Sequence, residues 1–337
     1  MAEKSIVGLS PVEIFDHIRP AGFKLQHAIS ICHAIYKRGT GDIGLFRNVP
    51  KLLQDLLRKN FDAGIFKPAA SELSADGTIK YLFRTCDGRA FETVYIPDNK
   101  RNTVCVSTQS GCRMGCSFCV TASYGFHGNL SAGEIVNQVI SIPEKDKITH
   151  VVLMGMGEPL DNTDNVLKAC EILTSEWGLS LSARNVTVST VGITPEIVKF
   201  LGNSECNMAL SLLSPFSDER AQLVPAEKRY PVSDIIAILK DYKIRKKRRL
   251  SLAYVMIKDL NDTDRHLAKL KSLAGGTGIR VNLLPYHATG KDLLVSSTPD
   301  RIMYFKHNLI ISGISASVRK SRGADISAAC GLLAADL

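Results

Sequence analysis

The stretch "TVCVSTQSGCRMGCSFCVTA", residues 103–122, starts as an alternating apolar run. It then breaks into a loop with three thiols, Cys112, Cys116 and Cys119, inside eight positions. Glycine, serine and aromatic neighbours make this segment unsuited to a packed helix core. Its spacing is C-x3-C-x2-C. Zinc is usually held by four protein ligands, with cysteines in C-x2-C pairs. Three thiolates with one position left open suit a [4Fe–4S] cluster whose fourth iron binds something else. A structural zinc site with a distant fourth ligand, or three free thiols, are the alternative readings.

Outward from this loop the pattern is strand, loop, helix, repeated. Candidate strands are "TVCVST", "HVVLMGM", "NVTVST", "NMALSLL", "LSLAYVMI" and "IRVNLLPY". Helical spacing fills the gaps between them, as in "SAGEIVNQVISI", "TDNVLKACEILTSEW", "TPEIVKFLG" and "VSDIIAILKDY". Six such units predict a parallel α/β barrel or partial barrel, with a doubly wound sheet as the rival. In a barrel, chemistry gathers on loops at the C-terminal ends of strands, where the cysteine loop falls. Upstream, "PVEIFDHI", "LQHAISICHAIYKRG" and "VPKLLQDLLRKNF" read as helices. "TIKYLFRTC", Asp87-Gly88 and "AFETVYIP" read as a β-hairpin. The expected division is 1–70 helical accessory domain, 71–98 β-hairpin extension, and 99–337 α/β core.

Composition is that of an ordinary globular chain, 45% hydrophobic and 22% charged over 337 residues. The N-terminus lacks the apolar h-region of a signal peptide. No apolar run approaches the roughly 18 residues of a membrane span. A cytoplasmic protein without membrane contact is expected, and nine cysteines there read as reduced, metal-bound or catalytic. The net charge of +9 permits a polyanionic partner such as RNA. Its densest patch, "KIRKKRR" at 243–249, reads either as a solvated helix end or as a phosphate contact.

With Phe118 before its last cysteine, the loop resembles the radical S-adenosylmethionine (SAM) superfamily. "LFRNVPKLLQDLL" and "RGADISAACGLL" extend the resemblance over nearly the whole chain to the RlmN/Cfr family of adenosine methyltransferases acting on large-subunit rRNA. That family implies a partial (β/α)6 radical SAM barrel with an N-terminal helical accessory domain, which binds RNA, and a β-hairpin. It implies a [4Fe–4S] cluster on Cys112, Cys116 and Cys119, and two SAM molecules per turnover. "MGMGEPLDN" resembles the glycine-rich SAM motif, with Gly157 and Glu158 at contact positions; Ser189 and Ser211 end the third and fourth strands and match further SAM contacts.

By the same resemblance, Cys330 receives a methyl group from a first SAM, and a radical from a second activates it for addition to adenine. An sp2 ring carbon is too weak a nucleophile for direct transfer, and side chains alone cannot start a radical route. Cys105 matches the cysteine that releases the product, leaving a Cys105–Cys330 disulfide for cellular thiols to reduce. Glu92 matches a proton-moving carboxylate. Small neighbours, Ala328, Ala329 and Gly331, let the Cys330 segment approach SAM closely. Arg319, Lys320 and Arg322 lie beside it in sequence as a phosphate-seating patch. Partners implied are rRNA, with tRNA as a second target, and a one-electron donor such as flavodoxin; a monomer is expected.

The chain departs from the family pattern in places. It reads Ser211-Leu212-Leu213 where the family usually has Ser-Leu-His, and "PYHATG" where the family has asparagine in "P-F-N-P". His287 in the latter is expected to compensate at the SAM site for both losses. Gly128 and Leu332 also differ from the usual arginine and glutamine. The leading reading is C2 methylation of an rRNA adenosine. Cfr-like C8 methylation and a diverged paralogue on another RNA are the alternatives, and "GEPL" rather than "GEAL" favours the first.

Overall fold

A computed structural model describes residues 4–242, 248–289 and 293–335. Three N-terminal helices form first: α1 (Pro11–Ile18), α2 (Leu25–Cys32) and α3 (Lys51–Asn60). Helix α1 starts at a capping box in which Ser10 and Glu13 satisfy each other's backbone N–H, with Pro11 at the first turn.

A ten-stranded sheet follows. Its strands are β1 (Ala70–Leu73), β2 (Ile79–Arg84), β3 (Ala90–Ile96), β4 (Thr103–Val106), β5 (His150–Leu153), β6 (Val186–Thr190), β7 (Asn207–Ser211), β8 (Leu250–Met256), β9 (Arg280–Pro285) and β10 (Ala316–Val318). They lie side by side in chain order, with β1 to β4 antiparallel and β4 to β10 parallel. The order leaves two open ends, so the barrel is partial.

The parallel strands are joined through α4 (Val120–Tyr124), α5 (Ala132–Ile140), α6 (Thr163–Thr174), α7 (Thr194–Asn203), α8 (Ser217–Leu223), α9 (Val232–Asp241), α10 (Asp264–Ala274) and α11 (Pro299–Ile311). All six expected core strands form. Strands β1 and β10 are additions to that expectation, each too short to show a periodic pattern. The hairpin is also more than an extension, because β3 pairs with β4 and continues the core sheet.

Side chains divide cleanly between the two faces. Val104, Val106, Val151, Leu153, Val186 and Val188 are sealed in the core. Between them, Cys105, Val152, Thr187, Ser189, Ala209, Ser211, Ala253 and Asn282 face the opposite way, into the lumen. Apart from Val152 these residues are small or polar, so this face of the sheet presents hydroxyls, an amide and a thiol to the lumen.

The accessory helices dock on α5. A Cβ at Gly133 would stand 2.4 Å from the Val7 carbonyl, so only glycine allows this approach. Tyr36 closes the contact, its hydroxyl donating to Leu9 O at 2.7 Å and accepting from Gly8 N at 3.0 Å. Asn137 of α5 donates to Phe66 O at 2.8 Å.

Residues 243–247 of the basic run lie outside the described residues. Arg248 is buried and donates to the carbonyls of Leu201 (3.0 Å) and Ser204 (2.6 Å). It thereby caps the C-terminal end of α7, where carbonyls lack partners and favour a cation. That member of the run supports the fold instead of meeting phosphate. No helix among the described residues is long and apolar enough to cross a membrane.

Candidate active site

The cysteine loop leaves the C-terminal end of β4 and is held at both ends. Cys112 N donates to Gly125 O at 2.9 Å, and Ser117 N to Leu223 O at 3.1 Å. Gly111 runs at φ 76°, with Gly125 O where a Cβ would be. Cys116 is buried, while Cys112 and Cys119 are half-buried. Burial pushes the Cys112 thiol up to about 12, and Glu158 and Cys119 add to it. Cys116 is raised by burial, then by Cys119 and Cys112. Burial thus disfavours the thiolates of Cys112 and Cys116, the more strongly desolvated members of the loop.

Among the described residues, no three His, Cys, Asp or Glu side chains converge tightly enough for a single metal ion. A cubane cluster places each cysteine on a different iron and accepts a wider set. The donor chemistry fits such a cluster with three protein ligands.

The glycine-rich loop after β5 packs against this loop. Gly157 has φ 95°, and a Cβ there would stand 2.5 Å from Gln109 Cβ, so the position needs glycine twice over. Glu158 is buried. Its Oε1 accepts from Leu160 N at 2.9 Å and its Oε2 from Val191 N at 2.8 Å, which ties the β5 loop to the β6 loop. Burial raises this carboxyl to about 7.

Sequence reasoning missed the clamp between the two loops. Asp161 accepts two bonds from Arg113, each 2.7 Å, and a third from Gln109 at 2.8 Å. The signal was an arginine directly after the first cysteine and an aspartate near the end of the glycine-rich motif.

Ser189 and Ser211 come together, their hydroxyls 3.3 Å apart at the ends of β6 and β7. Leu212 and Leu213 are fully buried. Leu212 packs into the main core, and its carbonyl accepts from Arg220 Nε at 3.0 Å. Leu213 adopts φ 57°, and its side chain joins Cys116, Val191, Leu223 and Val224 in a small apolar cluster beside the cysteine loop. His287 lies just past β9, its Nε2 3.0 Å from the Ser321 hydroxyl. Burial lowers its pKa.

The C-terminal segment brings the last cysteine into the same lumen. Gly323 N donates to Asp76 Oδ2 at 3.1 Å, and Ser74 Oγ to Asp325 Oδ1 at 2.6 Å. Further on, Val120 N donates to Gly331 O at 2.7 Å and Thr121 Oγ1 to Leu333 O at 2.6 Å. Ala334 N donates to Glu92 Oε2 at 3.0 Å. The segment therefore runs from the β1–β2 turn to the start of α4, directly after the cysteine loop, and straps Cys330 between them.

Cys330 is exposed, yet desolvation by surrounding protein raises its thiol. Arg319 and Cys119 also act on it. Cys105, buried in β4, is raised by burial and then by Cys330. These two thiols, 225 positions apart in the chain (330 − 105), thus share one space. Glu92 is fully buried beneath them on β3, its Oε1 3.5 Å from Lys80 Nζ.

Comparison with known proteins agrees with this geometry. Residues 106–270 match the family model of the radical SAM superfamily. A protein of Bacteroides thetaiotaomicron named "Probable dual-specificity RNA methyltransferase RlmN" is 39% identical over 99% of this chain and 96% of its own length. The "Dual-specificity RNA methyltransferase RlmN" of Syntrophotalea carbinolica is 38% identical over 95% of this chain and 87% of its own length. The crystal structure of a radical SAM methyltransferase from Sphaerobacter thermophilus superposes with TM-score 0.92 at 37% identity, over 99% of this chain and 100% of that one.

Proposed function

Because the chain belongs to the RlmN family of radical SAM enzymes, we propose that it methylates C2 of an adenosine in 23S rRNA, with tRNA as a second substrate, through an S-methylcysteine on Cys330. One observation supports this route above the others: the bond from Val120 N to Gly331 O at 2.7 Å seats Cys330 beside the cysteine loop, while Cys105 faces the lumen from β4. The relatives are named as dual-specificity RNA methyltransferases, which agrees with two RNA classes.

Cys112, Cys116 and Cys119 are the residues that hold the cluster, with Gly157, Glu158, Ser189 and Ser211 around the adjoining SAM position. When bound, the pair supplies a one-electron route that breaks a carbon–sulfur bond of SAM, which no side chain here can do. Cys330 Sγ takes the methyl group, becoming a thioether. Bonding of its carbon to the adenine ring would move one methyl hydrogen to the SAM-derived radical and release the ring hydrogen as a proton, with one electron returned to the one-electron route. Cys105 thiolate then attacks Cys330 Sγ. The sulfur–carbon bond breaks, its electron pair stays with the methyl carbon, and the base leaves with a proton added there. A Cys105–Cys330 disulfide remains and is reduced by cellular thiols. Glu92 lies within the strap's hydrogen-bond network and is assigned to proton movement in this release. The electron donor is of flavodoxin type, and the enzyme acts as a monomer.

The test is anaerobic reconstitution with iron, sulfide, SAM and reductant, followed by proteolysis and nucleoside mass spectrometry. The Cys330 peptide is expected to carry one extra methyl group and the RNA to yield 2-methyladenosine. An unmodified Cys330 after turnover overturns the covalent route; 8-methyladenosine overturns the regiochemistry alone.

A further inference from the structure

Four arginines face the lumen, three from the starts of strands and one from the end of β10, and the proposed chemistry does not use them. Arg101 precedes β4, Arg249 precedes β8, Arg280 opens β9, and Arg319 follows β10. Strand register sets their direction. Arg280 lies opposite Ser251, and Ser317 lies opposite Asn282, its hydroxyl 2.8 Å from Asn282 Oδ1. Two residues past Ser317, with its N–H on Leu283 O at 2.9 Å, Arg319 keeps to that lumen face. His150 opens β5 opposite Thr103, on the face of Cys105.

The four form one group across the lumen. Burial, then Arg319 and Arg249, disfavour the charge of Arg101, which Asp98 offsets in part. Burial, then Arg280 and Arg319, do the same to Arg249. His150 feels Arg101 and Arg249 after burial.

Elsewhere Arg89, Arg113, Arg220, Arg265 and Arg301 each hold a carboxylate. Among the described residues none of the four lumen arginines has such an ion pair. Like charges gathered without counter-charge cost stability, and a fold keeps such a group where an anion completes it. Arg101, Arg249 and Arg280 are exposed, so that anion can come from outside. Arg319 also acts on Cys105 and Cys330, which places the group and the reacting sulfurs in one continuous space. Arg101 stands four residues from Cys105, about 13 Å along an extended strand. A nucleotide spans such a gap with its phosphate at one end and its base at the other.

We infer that Arg101, Arg249, Arg280 and Arg319 form a phosphate-binding mouth to the lumen, seating the backbone phosphates of the substrate nucleotide while its base reaches Cys330. The inference rests on the proposed RNA substrate. Guanidinium forks suit bidentate contacts to phosphate oxygens. Such contacts fix register without reading sequence, as a site acting on an unstacked base requires.

The experiment measures binding of a fluorescent stem-loop RNA against salt for the full-length protein and its Arg101→Gln, Arg249→Gln, Arg280→Gln and Arg319→Gln variants, with melting curves for each. Each substitution is expected to weaken binding about three- to tenfold and flatten the log–log salt slope by about 0.7, the single-strand value per phosphate contact. Melting temperature is expected to hold or rise, since a repulsion is removed. Lys269→Gln, on the exposed side of α10, is expected to leave both affinity and slope unchanged. Unchanged affinity and slope in all four arginine variants overturn the mouth and leave the methyltransferase reading standing. Weaker binding that tracks a fall in melting temperature assigns the arginines to the fold and likewise overturns it. A wild-type protein that binds no RNA overturns the substrate reading instead.

Discussion

Arg220→Met tests how the SAM-side loops are held. Arg220 and Glu227 are buried at 0% and 3% side-chain exposure. The guanidinium donates to Leu212 O at 3.0 Å and Ser211 O at 3.1 Å, and also to Val191 O and Glu227. One side chain thus gathers carbonyls at the C-terminal ends of β6 and β7, the strands that carry Ser189 and Ser211. Methionine fills similar volume but leaves Glu227 charged and buried, retaining only the bonds from Ser217 Oγ at 2.6 Å and Val232 N at 3.0 Å.

Breaking a buried pair from one side costs about 3–5 kcal/mol. Each abandoned carbonyl costs about 1–3 kcal/mol more, less whatever water recovers. A loss of about 4 kcal/mol is therefore the expected minimum, against about 5–15 kcal/mol for a typical domain. At a urea slope of about 3 kcal/mol per molar, the midpoint falls by about 1.3 M. Arg220→Lys keeps the charge but not the fork, and should lose about half as much. Arg220→Met combined with Glu227→Leu removes both charges and should recover most of the pair's share. A single variant within 1 kcal/mol of wild type, or a double variant no better than the single, refutes this account.

Other perturbations have distinct expected results. Cys112→Ser, Cys116→Ser or Cys119→Ser should each abolish broad visible absorbance after anaerobic reconstitution; full iron uptake by any one of them contradicts the ligand assignment. Gly157→Ala must move Gln109 and strain a φ of 95°, so a loss of at least about 2 kcal/mol in chemical denaturation is expected. His287→Ala should weaken SAM binding if the histidine compensates for the departures in the loops; calorimetric affinity equal to wild type removes that role. Partial burial raises the Asp76 carboxyl, but hydrogen bonds from Thr78, Gly323 and Ser74 outweigh it and hold it at about 2. A depressed carboxyl stabilises the fold above its ordinary range near 3.8 and loses that contribution as pH falls toward 2. The stability gap between wild type and Asp76→Asn should narrow across that window, and a gap independent of pH would show that the strap does not depend on this charge.

The sequence was most legible where chemistry is local. The cysteine loop declares itself by spacing, and strands such as "NVTVST" by alternation, because both patterns live within a few residues. The capping box at Ser10 is equally local. Legibility fails where a role depends on distant partners. Arg220 looks like any charged helix residue until Val191 and Leu212 fold around it. Glu158 sits in a recognisable motif, but that its carboxylate ties two loops together needs the β5–β6 pairing. "KIRKKRR" reads as one patch, yet Arg248 turns inward to α7 while Arg249 turns to the lumen. Alternation at a strand edge separates those two neighbours, and charge counting cannot.

The hairpin is continuous with the core sheet. β3 is bonded to β4 through Val94 and Cys105, so the strand carrying Glu92 is a direct extension of the strand carrying Cys105. The turn between β1 and β2 holds Asp76, which with Ser74 fastens the start of the C-terminal segment; Glu92 of β3 fastens its end through Ala334 N. The strap that presents Cys330 is therefore tied to the hairpin at two points and to the cysteine loop at two more. Loosening the hairpin frees Cys330 before it disturbs the cysteine loop, since Cys112 and Ser117 depend on Gly125 and Leu223 instead. Cluster assembly and Cys330 placement are for that reason separable properties, although one lumen contains both.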